Sequence, residues 1–523
     1  MMARQIWKGG VPLGFDGPGK WARPIAYSKK QDRSGNAPTL VIGPPGSSKT
    51  VGLIATQLLD EPGKRSFIVL DTKAELAAIT ANYRRRVCGK DNVNIINPYG
   101  LLTAKRPDLK SDQWNPCNAL EPGSLGYGDE CGALGDAAVK PDLNEHQPHF
   151  SDCARSAITG GAMYLVKDAD AKGMARSLPS IRALFTQEPA KLKKSIEQMM
   201  HCGDFDVTSR VAKFLAENDE INSIKSTIER HTSWMSKPLR DDMATKKGVD
   251  FRNCTKRPTT IYVCVPVTEL AAKAVYLRLI FSAVLRALYV EDAVPTTVIV
   301  EEAFVLGYHR EIEQALSILR GYNSRLTVVF QSLQQTKQLY PATWGLFTAG
   351  SVVSFKPGEQ ETRDWVVKQA GTIDVPVRNS SDPRSGEGTA TGGWGIQRVD
   401  RISETDLNGM PPGRALVFLP HAEAPRQSWI KGYYEIPRLA ARADPNPLFK
   451  GSQKRPTGGL RKTIAAAVLA AGVLGGGALW ASGAPLLETG RHLLAWPPDV
   501  GGFGRPGGAA QHHVHHMHKR NRS

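Results

Sequence analysis

Residues 39–50 read TLVIGPPGSSKT, and this stretch decides the fold that we expect for the chain. The apolar run 39–42 predicts a buried strand, a glycine-containing loop follows it, and a helix begins at Lys49 and Thr50. The stretch matches the phosphate-loop pattern G-x-x-x-x-G-K-[ST] at every defined position except one, where Ser48 replaces the second glycine. It therefore predicts a strand, a phosphate-binding loop and a helix in direct succession.

The chemistry of phosphate binding explains these residue types. A loop of small side chains lets backbone N–H groups point at phosphate oxygens, and the helix N-terminus adds positive potential. Lys49 would act on the β- and γ-phosphates of ATP, and the Thr50 hydroxyl would bind Mg²⁺. The alternative is an ordinary strand-turn-helix connection with a surface lysine. The residues predicted to contact the nucleotide are Gly43, Pro44, Pro45, Gly46, Ser47, Ser48, Lys49, Thr50 and, after the next strand, Asp71.

Two further strand patterns indicate a doubly wound α/β sheet. Residues 66–71 form a short apolar run that ends in Asp71, residues 92–96 form another, and a helical pattern lies between them. Asp71 or Thr72 would cap that helix. Such sheets bind ligands beyond the carboxyl ends of their strands. We therefore expect Asp71 and the phosphate loop to lie at the same edge of the sheet.

An apolar strand that ends in two acids supplies the second half of the predicted site. Residues 296–302 read TTVIVEE, which is typical of a Walker B strand. Glu301 would anchor Mg²⁺ through water, and Glu302 would polarise the water that attacks the nucleotide. The alternative is a strand that simply ends in solvated carboxylates. The phosphate loop upstream favours the catalytic interpretation.

The next apolar strand, residues 326–332, carries Gln331 near its end. Gln331 would sense the γ-phosphate or position water, or else it caps a helix. Arg320 or Arg325, just before this strand, could act in trans on the nucleotide of a neighbouring subunit, as arginine fingers do. The alternative for both arginines is simple solvation.

The pattern of strands, helices and linkers divides the chain into seven segments. We expect an irregular lead-in (1–38), the first part of a P-loop ATPase domain (39–120), an all-helical insertion domain (121–255), the second part of the ATPase domain (256–436), a basic linker (437–462), a membrane-spanning helix (463–487) and a low-complexity His/basic tail (488–523). Within the second part, residues 378–397 are rich in Gly, Ser and Thr and predict a mobile loop. Residues 414–419 predict the last strand of the domain.

Charge and cysteine usage narrow the functional class. Lys and Arg number 67 against 50 Asp and Glu, a formal net charge of +17. This excess favours a polyanionic partner, either nucleic acid or an acidic membrane surface. The seven cysteines are scattered and form no C-x-x-C pair, so we expect reduced thiols rather than a zinc site or disulfides. The N-terminal residues lack the apolar core of a signal peptide.

A possible membrane anchor lies near the C-terminus. Residues 463–487 carry no charge, and their number is sufficient to span a bilayer. Basic residues precede them, so the positive-inside rule would keep the ATPase domain in the cytoplasm. The alternatives are a soluble Ala/Gly-rich helix and a disordered tail.

Several sequence blocks in a fixed order resemble those of TraG/TraD-type coupling proteins, the RecA-like hexameric ATPases of conjugation and type IV secretion. The blocks are residues 43–50, DTKAEL at 71–76, WNP at 114–116, IYVCVP at 261–266, EEAFVLG at 301–307, QS at 331–332 and GEQET at 358–362. The resemblance covers roughly residues 15–435. It implies ATP and Mg²⁺ as cofactors, a homo-hexamer, DNA with a bound relaxase as cargo, type IV secretion channel components as partners, and an inner-membrane location. The trans-acting arginine of the family would fall on Arg320, and its glutamine on Gln331.

Three departures from the family pattern affect the expected activity. Ser48 and Ala74 replace glycines, and Glu301 replaces an aspartate. None removes a charge that the chemistry requires, but each leaves the turnover rate open. Two alternatives therefore stay beside the DNA-translocating ATPase: a coupling ATPase for protein effectors, and a nucleotide-binding scaffold that does not hydrolyse ATP.

Overall fold

The computed structural model describes residues 5–8, 10–19, 21–28, 35–139, 148–168, 175–216, 218–379 and 393–448. The predicted membrane-spanning segment 463–487 and the His/basic tail lie outside these residues. Among the helices that are described, none combines the length with the apolar composition that a membrane crossing needs.

Most of the described strands join one large sheet. The strands are β1 (Val11–Phe15), β2 (Pro24–Tyr27), β3 (Thr39–Ile42), β4 (Ser66–Leu70), β5 (Val93–Ile96), β6 (Thr260–Val263), β7 (Thr296–Val300), β8 (Ser324–Phe330), β9 (Ser351–Phe355), β10 (Thr372–Asn379), β11 (Gly393–Asp400), β12 (Arg414–Phe418) and β13 (Arg426–Trp429). The order in the large sheet is β2-β1-β13-β12-β9-β3-β8-β7-β4-β6-β5, and β10 pairs with β11 in a separate ribbon. The part from β9 to β5 is parallel. The part from β2 to β12 is antiparallel, and β12 also pairs with β9 in antiparallel orientation.

The helices follow the pattern that the sequence predicts in most places. They are α1 (Ala55–Asp60), α2 (Glu75–Cys88), α3 (Tyr127–Ala138), α4 (Pro148–Asp168), α5 (Leu178–Phe185), α6 (Pro189–Met200), α7 (Phe205–Val211), α8 (Asp219–Thr232), α9 (Lys237–Met243), α10 (Asn253–Lys256), α11 (Ala274–Leu288), α12 (Arg310–Ile318), α13 (Leu333–Leu339), α14 (Gln360–Ala370), α15 (Glu404–Asn408) and α16 (Pro437–Ala440). A π-helical segment, Thr50–Ile54, leads into α1. The described part of residues 121–255 contains helices and no strand, which agrees with an all-helical insertion.

Successive residues of the parallel strands face opposite sides of the sheet and enter two separate cores. In β4, Phe67 and Val69 pack with α1 and α2, whereas Ile68 and Leu70 pack on the side of α11 and the insertion helices. This alternation follows from the two-residue period of a strand. Because helices cover both faces, the central strands are buried along their whole length, as parallel strands usually are.

The prediction of an irregular lead-in over residues 1–38 is wrong, because β1 and β2 extend the sheet. Pro12 and Gly14 hide the strand pattern, since both residue types are disfavoured inside strands. Gly14 has a φ of +100°, and a Cβ there would lie 2.0 Å from Ser428 Oγ and 2.8 Å from Trp429 O. Glycine is therefore what allows β13 to approach β1 this closely.

Two predictions for the C-terminal part of the domain also need correction. The loop predicted over residues 378–397 is in part a ribbon, because β10 and β11 pair from Thr372↔Asp400 to Asn379↔Gly393; residues 380–392 lie outside the described part. The strand predicted at 414–419 is not the last one, since β13 follows it. The ribbon and β13 contain many polar residues, so their sequences lack the apolar runs of the central strands.

Residues 437–448, which we name the C-terminal segment, pack against the α/β domain and are not the start of a linker as predicted. Leu439 is fully buried. Arg442 donates to the Leu59 carbonyl (2.6 Å) and its guanidinium lies 5.0 Å from the Tyr83 ring centroid. Asn82 Nδ2 donates to Asp444 Oδ2 (2.7 Å). The basic and proline-rich composition suggested a linker because long cationic side chains that fold onto a protein surface look the same in sequence as solvated ones.

Two leucines of the C-terminal segment test this packing. Leu439→Ala should lower the free energy of unfolding by about 2–4 kcal/mol, because it leaves a cavity at a fully buried site. Leu448→Ala is the matched control, since Leu448 is 42% exposed, and should change the free energy by less than about 0.5 kcal/mol. Urea unfolding of both variants measures the difference. Equally small effects would show that the segment behaves as a linker.

Candidate nucleotide-binding site

The strand order brings the predicted site residues to one edge of the sheet. Strand β8 pairs in parallel with β3 on one side and with β7 on the other, and β7 pairs in parallel with β4. The carboxyl ends of all four strands therefore lie side by side. The phosphate loop follows β3, Gln331 follows β8, Glu301 and Glu302 follow β7, and Asp71 follows β4.

Lys49 lies inside the phosphate loop. Its Nζ donates to the carbonyl oxygens of Gly43 (2.6 Å) and Pro44 (2.8 Å), and Ser47 Oγ is 3.4 Å away. Burial lowers the pKa of Lys49, and the negative charges of Glu302 and Glu301 act in the opposite direction. The loop thus holds a buried cation close to the two acids, and Pro45 and Gly46 form its exposed rim.

A hydrogen bond between Thr50 and Glu301 joins the phosphate loop to the residues that follow β7. The Thr50 hydroxyl donates to Glu301 Oε1 at 2.5 Å. Glu301 is 8% exposed, and burial raises its pKa to about 8; the hydrogen bond from Thr50 opposes this rise, while the carboxylates of Asp71 and Glu302 add to it. A hydroxyl and a carboxylate are hard oxygen donors of the kind that Mg²⁺ prefers. These two side chains therefore suit the metal role predicted for them.

Glu302 and Gln331 form a second polar pair. Gln331 Nε2 donates to Glu302 Oε2 at 3.0 Å. Glu302 has a φ of +54°, a left-handed conformation that is uncommon for a residue with a long side chain. Backbone strain of this kind is frequent at functional sites. The pair places a carboxylate and an amide beside each other at the ends of β7 and β8.

Asp71 is a buried carboxylate that caps α2. Its Oδ1 accepts from the Glu75 backbone N–H (3.0 Å) and its Oδ2 from that of Ala77 (2.8 Å). The predicted cap is therefore Asp71 rather than Thr72. Burial raises the pKa of Asp71 to about 7, against the effect of these backbone hydrogen bonds. The two buried acids, Asp71 and Glu301, lie at the ends of adjacent strands.

The two replaced glycines share one backbone property. Ser48 has a φ of +67° and Ala74 a φ of +53°, so both occupy the left-handed region that glycine adopts without strain. Ala74 is fully buried directly before α2. The chain therefore keeps the backbone that the glycines of the family pattern favour, at a cost in conformational energy.

Arg320 and Arg325 lie at the opposite edge of the sheet from the phosphate loop, before and at the start of β8. Arg325 is 3% exposed and donates from Nε to Thr297 Oγ1 (2.9 Å), so it is a buried structural residue and cannot project towards a neighbour. That alternative for the trans-acting arginine is wrong. Arg320 is exposed and stays a prediction for that role.

Sequence reasoning assigned no role to Lys73 and Glu75, which follow β4 at the carboxyl edge of the sheet. The positive charge of Lys73 lowers the pKa of Lys49, and the negative charge of Glu75 raises the pKa of Glu301. Asn446 Nδ2 of the C-terminal segment donates to Glu75 Oε1 (2.6 Å). The signal that could have found them is their position directly after the carboxyl end of β4, within the block DTKAEL.

Comparison with known proteins identifies relatives of the whole described domain. The chain matches the family described as "Type IV secretory system Conjugative DNA transfer" over residues 7–450. The conjugal transfer protein TraG of Rhizobium radiobacter is 23% identical over 338 residues, which cover 61% of this chain and 50% of that protein. The type IV secretion system-coupling protein VirD4 of Bartonella quintana (strain Toulouse) is 21% identical over 351 residues, which cover 65% of this chain and 53% of that protein. The chain thus spans about half the length of these relatives.

Solved structures share the fold. The bacterial conjugative coupling protein TrwBdeltaN70, in an unbound monoclinic form, has a TM-score of 0.59 at 14% identity and covers 81% of this chain and 88% of its own. The plasmid coupling protein TrwB in complex with ADP and Mg²⁺ has a TM-score of 0.55 at 14% identity, with 78% and 87% covered. The RecA-like α/β fold with a helical insertion, which the sequence predicts, is confirmed.

The left-handed backbone at Ser48 leads to a stability prediction. Ser48→Gly should raise the free energy of unfolding by about 0.5–1 kcal/mol. Removing the strain of a left-handed non-glycine residue stabilises the folded state by about 1–2 kcal/mol. The greater conformational freedom of glycine in the unfolded chain offsets about 0.5–1 kcal/mol of this gain. Ser47→Gly is the matched control, since the φ of Ser47 is not positive, and it should lower stability. Urea unfolding distinguishes the two; equal losses would contradict the backbone argument.

The two buried acids lead to a pH prediction. Their pKa values of about 8 and about 7 in the folded protein exceed the ordinary values near 4, so the folded state binds protons that the unfolded chain releases. Stability therefore falls as the pH rises from about 4 to about 8. Glu301→Gln keeps an oxygen that accepts from Thr50 but cannot ionise, so its advantage over the wild type should grow across this window.

Thermal unfolding of the nucleotide-free protein between pH 5 and pH 8 measures this effect. We expect similar midpoints for wild type and Glu301→Gln at pH 5, and a midpoint several degrees higher for the variant at pH 8. Glu302→Gln serves as the control for removing an acid from the same edge. A Glu301→Gln advantage of constant size from pH 5 to pH 8 would contradict the assignment of a buried, protonated carboxyl.

Proposed function

The chain belongs to the type IV secretory system conjugative DNA transfer family, and on that premise we propose that it is a coupling ATPase. In this proposal it uses ATP hydrolysis to deliver DNA, as a single strand bound to a relaxase, to a type IV secretion channel. The observation that carries the proposal is the meeting of Lys49, Thr50, Glu301, Glu302 and Gln331 at one edge of the sheet.

Each of these residues has a defined task. The phosphate loop binds the β- and γ-phosphates through backbone N–H groups, and Lys49 neutralises their charge once it leaves its own loop carbonyls. Glu302 orients and polarises the attacking water, and Gln331, which donates to Glu302, detects the γ-phosphate. Phosphoryl transfer depends mainly on positioning and electrostatics, so the rigid ends of β7 and β8 are suitable supports.

Thr50 and Glu301 are the residues that would hold Mg²⁺, Thr50 directly and Glu301 through water. When bound, the ion neutralises charge on the phosphate oxygens. Glu301 would release its proton on metal binding, because a nearby positive charge favours the ionised carboxylate. Asp71 would keep its role as the residue that caps α2.

The assembly part of the proposal rests on charge and on Arg320. A hexamer would bring Arg320 of one subunit to the nucleotide of the next, and ATP hydrolysis would be coupled between subunits. A net charge of +17 suits a path for DNA phosphates. We further propose that residues 463–487 tether the ATPase to the inner membrane, with the ATPase domain in the cytoplasm.

A nucleotide-binding scaffold that does not hydrolyse ATP is the second candidate. Two observations favour it: Ser48 has a left-handed backbone that glycine would adopt without strain, and Glu301 stands where the family pattern has an aspartate. A coupling ATPase for protein effectors uses the same site; stimulation by DNA separates it from the DNA motor.

ATP hydrolysis by residues 1–455, with and without single-stranded DNA, tests the proposal. Turnover should rise with DNA and vanish in Lys49→Ala. Glu302→Gln should lower kcat by about 10²–10³-fold, because it removes a group that acts only on the transition state, while ADP binding persists. Glu291→Gln is the matched control: it changes an exposed acid before the amino end of β7 and should leave turnover unchanged.

Two results would redirect the proposal. Nucleotide binding without turnover above the Lys49→Ala blank, at concentrations where hexamers form, would establish the scaffold. Turnover that is indifferent to DNA would favour protein effectors as cargo.

A further inference from the structure

Gln331 is separated by one residue from a buried hydrogen bond that joins two helices. Ser332 caps α13 through its hydroxyl, which accepts from the Gln335 N–H (3.3 Å), and Gln335 Oε1 accepts from the Gln331 N–H (3.0 Å). Leu333, the first residue of α13, donates its backbone N–H to Thr362 Oγ1 at 2.9 Å. Thr362 belongs to α14, so this bond ties the start of α13 to another element.

We infer that Thr362 is a positioning residue for the proposed nucleotide sensor, because it fixes the direction in which Gln331 leaves β8. This inference rests on the proposed function, in which Gln331 detects the γ-phosphate. The first N–H groups of a helix have no partner within the helix, and most are free to tilt towards water. Here one of them is held by a side chain that is 1% exposed.

The Thr362 hydroxyl can act in only one orientation. It donates to Glu359 Oε1, which also accepts from the Thr362 backbone N–H (3.0 Å), and Glu359 is the cap of α14. A hydroxyl has one proton to donate. With that proton committed to Glu359, the oxygen of Thr362 faces Leu333 as an acceptor, and the geometry of the bond is set from both sides.

Other contacts between the two helices are weaker supports. Lys337 on α13 lies 2.5 Å from Glu361 on α14, but these side chains are 32% and 40% exposed, and exposed ion pairs contribute little. The buried hydrogen bond is therefore the contact that holds α14 to the residues next to Gln331. It also gives a physical role to Glu359 and Thr362 in the block GEQET.

Helix α14 also contacts the ribbon formed by β10 and β11. The ribbon β10–β11 follows α14 directly, and the Arg401 N–H, just after β11, donates to the Gly371 carbonyl at the end of α14 (2.9 Å). Trp394 and Ile396 of the ribbon are 74% and 80% exposed. Helix α14 therefore contacts both the residues beside Gln331, through Thr362, and a ribbon that exposes two large apolar side chains.

The test compares γ-phosphate recognition in five variants of the full chain. The measured quantity is the ratio of the affinity for a non-hydrolysable ATP analogue to the affinity for ADP, together with ATP turnover. Thr362→Val keeps the shape and removes the acceptor, and should lower both the ratio and turnover about tenfold, because small displacements of a positioned group have large effects. Affinity for ADP should not change, and Thr362→Ser should restore the wild-type values.

A matched control and a double variant exclude a merely structural effect. Thr336 of α13 is fully buried and its hydroxyl has no hydrogen-bond partner among the described residues, so Thr336→Val should behave as wild type. In a Gln331→Ala background, Thr362→Val should have no further effect, since the group that it positions is gone. A wild-type ratio in Thr362→Val, or an equal loss with and without Gln331, would overturn the inference.

Failure of the inference and failure of the proposed function give different results. A wild type that prefers the ATP analogue, combined with a Thr362→Val variant that prefers it equally, overturns the inference alone. A wild type that shows neither preference nor turnover overturns both. If Thr362→Val does not fold, hydrogen exchange of the wild-type Leu333 amide decides: greater protection with the ATP analogue than with ADP is expected, and exchange at the solvent rate in both states would overturn the inference.

Discussion

The parallel pairing of β8 with β3 on one side and β7 on the other is the constraint on which the site depends. The phosphate loop and the two acids are about 250 residues apart in the chain, yet the register Ile42↔Phe330 and Val300↔Val328 aligns the ends of β3 and β7 to within two residues along β8. A one-residue slip of β8 would turn every side chain of this strand to the opposite face. Both faces are covered by apolar cores, so such a slip would bury Arg325 and Thr327 in the wrong environment, and the register is strongly specified.

Three ionisable side chains at the carboxyl edge of the sheet are buried and bonded to neighbouring groups of the protein. Glu301 and Asp71 lie at the ends of adjacent strands with pKa values above the ordinary range, and Lys49 is held by carbonyl oxygens of its own loop. Every one of these groups is therefore partly neutralised or internally satisfied without a ligand. A magnesium-bound nucleotide would bring positive and negative charge to this edge, where the cation would favour ionised carboxylates and the phosphates would favour contact with the Lys49 ammonium.

The parts of the structure that the sequence predicts well are those where apolar burial and a phosphate-binding pattern coincide. Strands β3, β4, β7 and β8 are short runs buried on both sides, so their apolar residues identify them in the sequence. Strand β1 is missed because Pro12 and Gly14 break the pattern, and its place in the sheet depends on contacts with β13 more than 400 residues later. The C-terminal segment is missed for a similar reason: Arg442 and Asp444 act through specific hydrogen bonds that composition does not reveal. At the site, the sequence predicts residue types and their meeting point but not backbone conformation, so the left-handed Ser48 and Ala74 appear in the sequence only as departures from a pattern.

The position of Arg320 has a consequence for assembly. Strand β8 has seven residues and a rise of about 3.3 Å per residue, so its two ends are roughly 20 Å apart. Arg320 precedes the amino end and Gln331 follows the carboxyl end, a separation that no arginine side chain spans. Arg325, the other candidate, is buried against Thr297. If an arginine from this region acts on the nucleotide, it acts on that of another subunit, and the same chain then presents its carboxyl edge to one neighbour and its amino edge to the next. Contacts of this head-to-tail kind close into a ring when the rotation between neighbouring subunits closes.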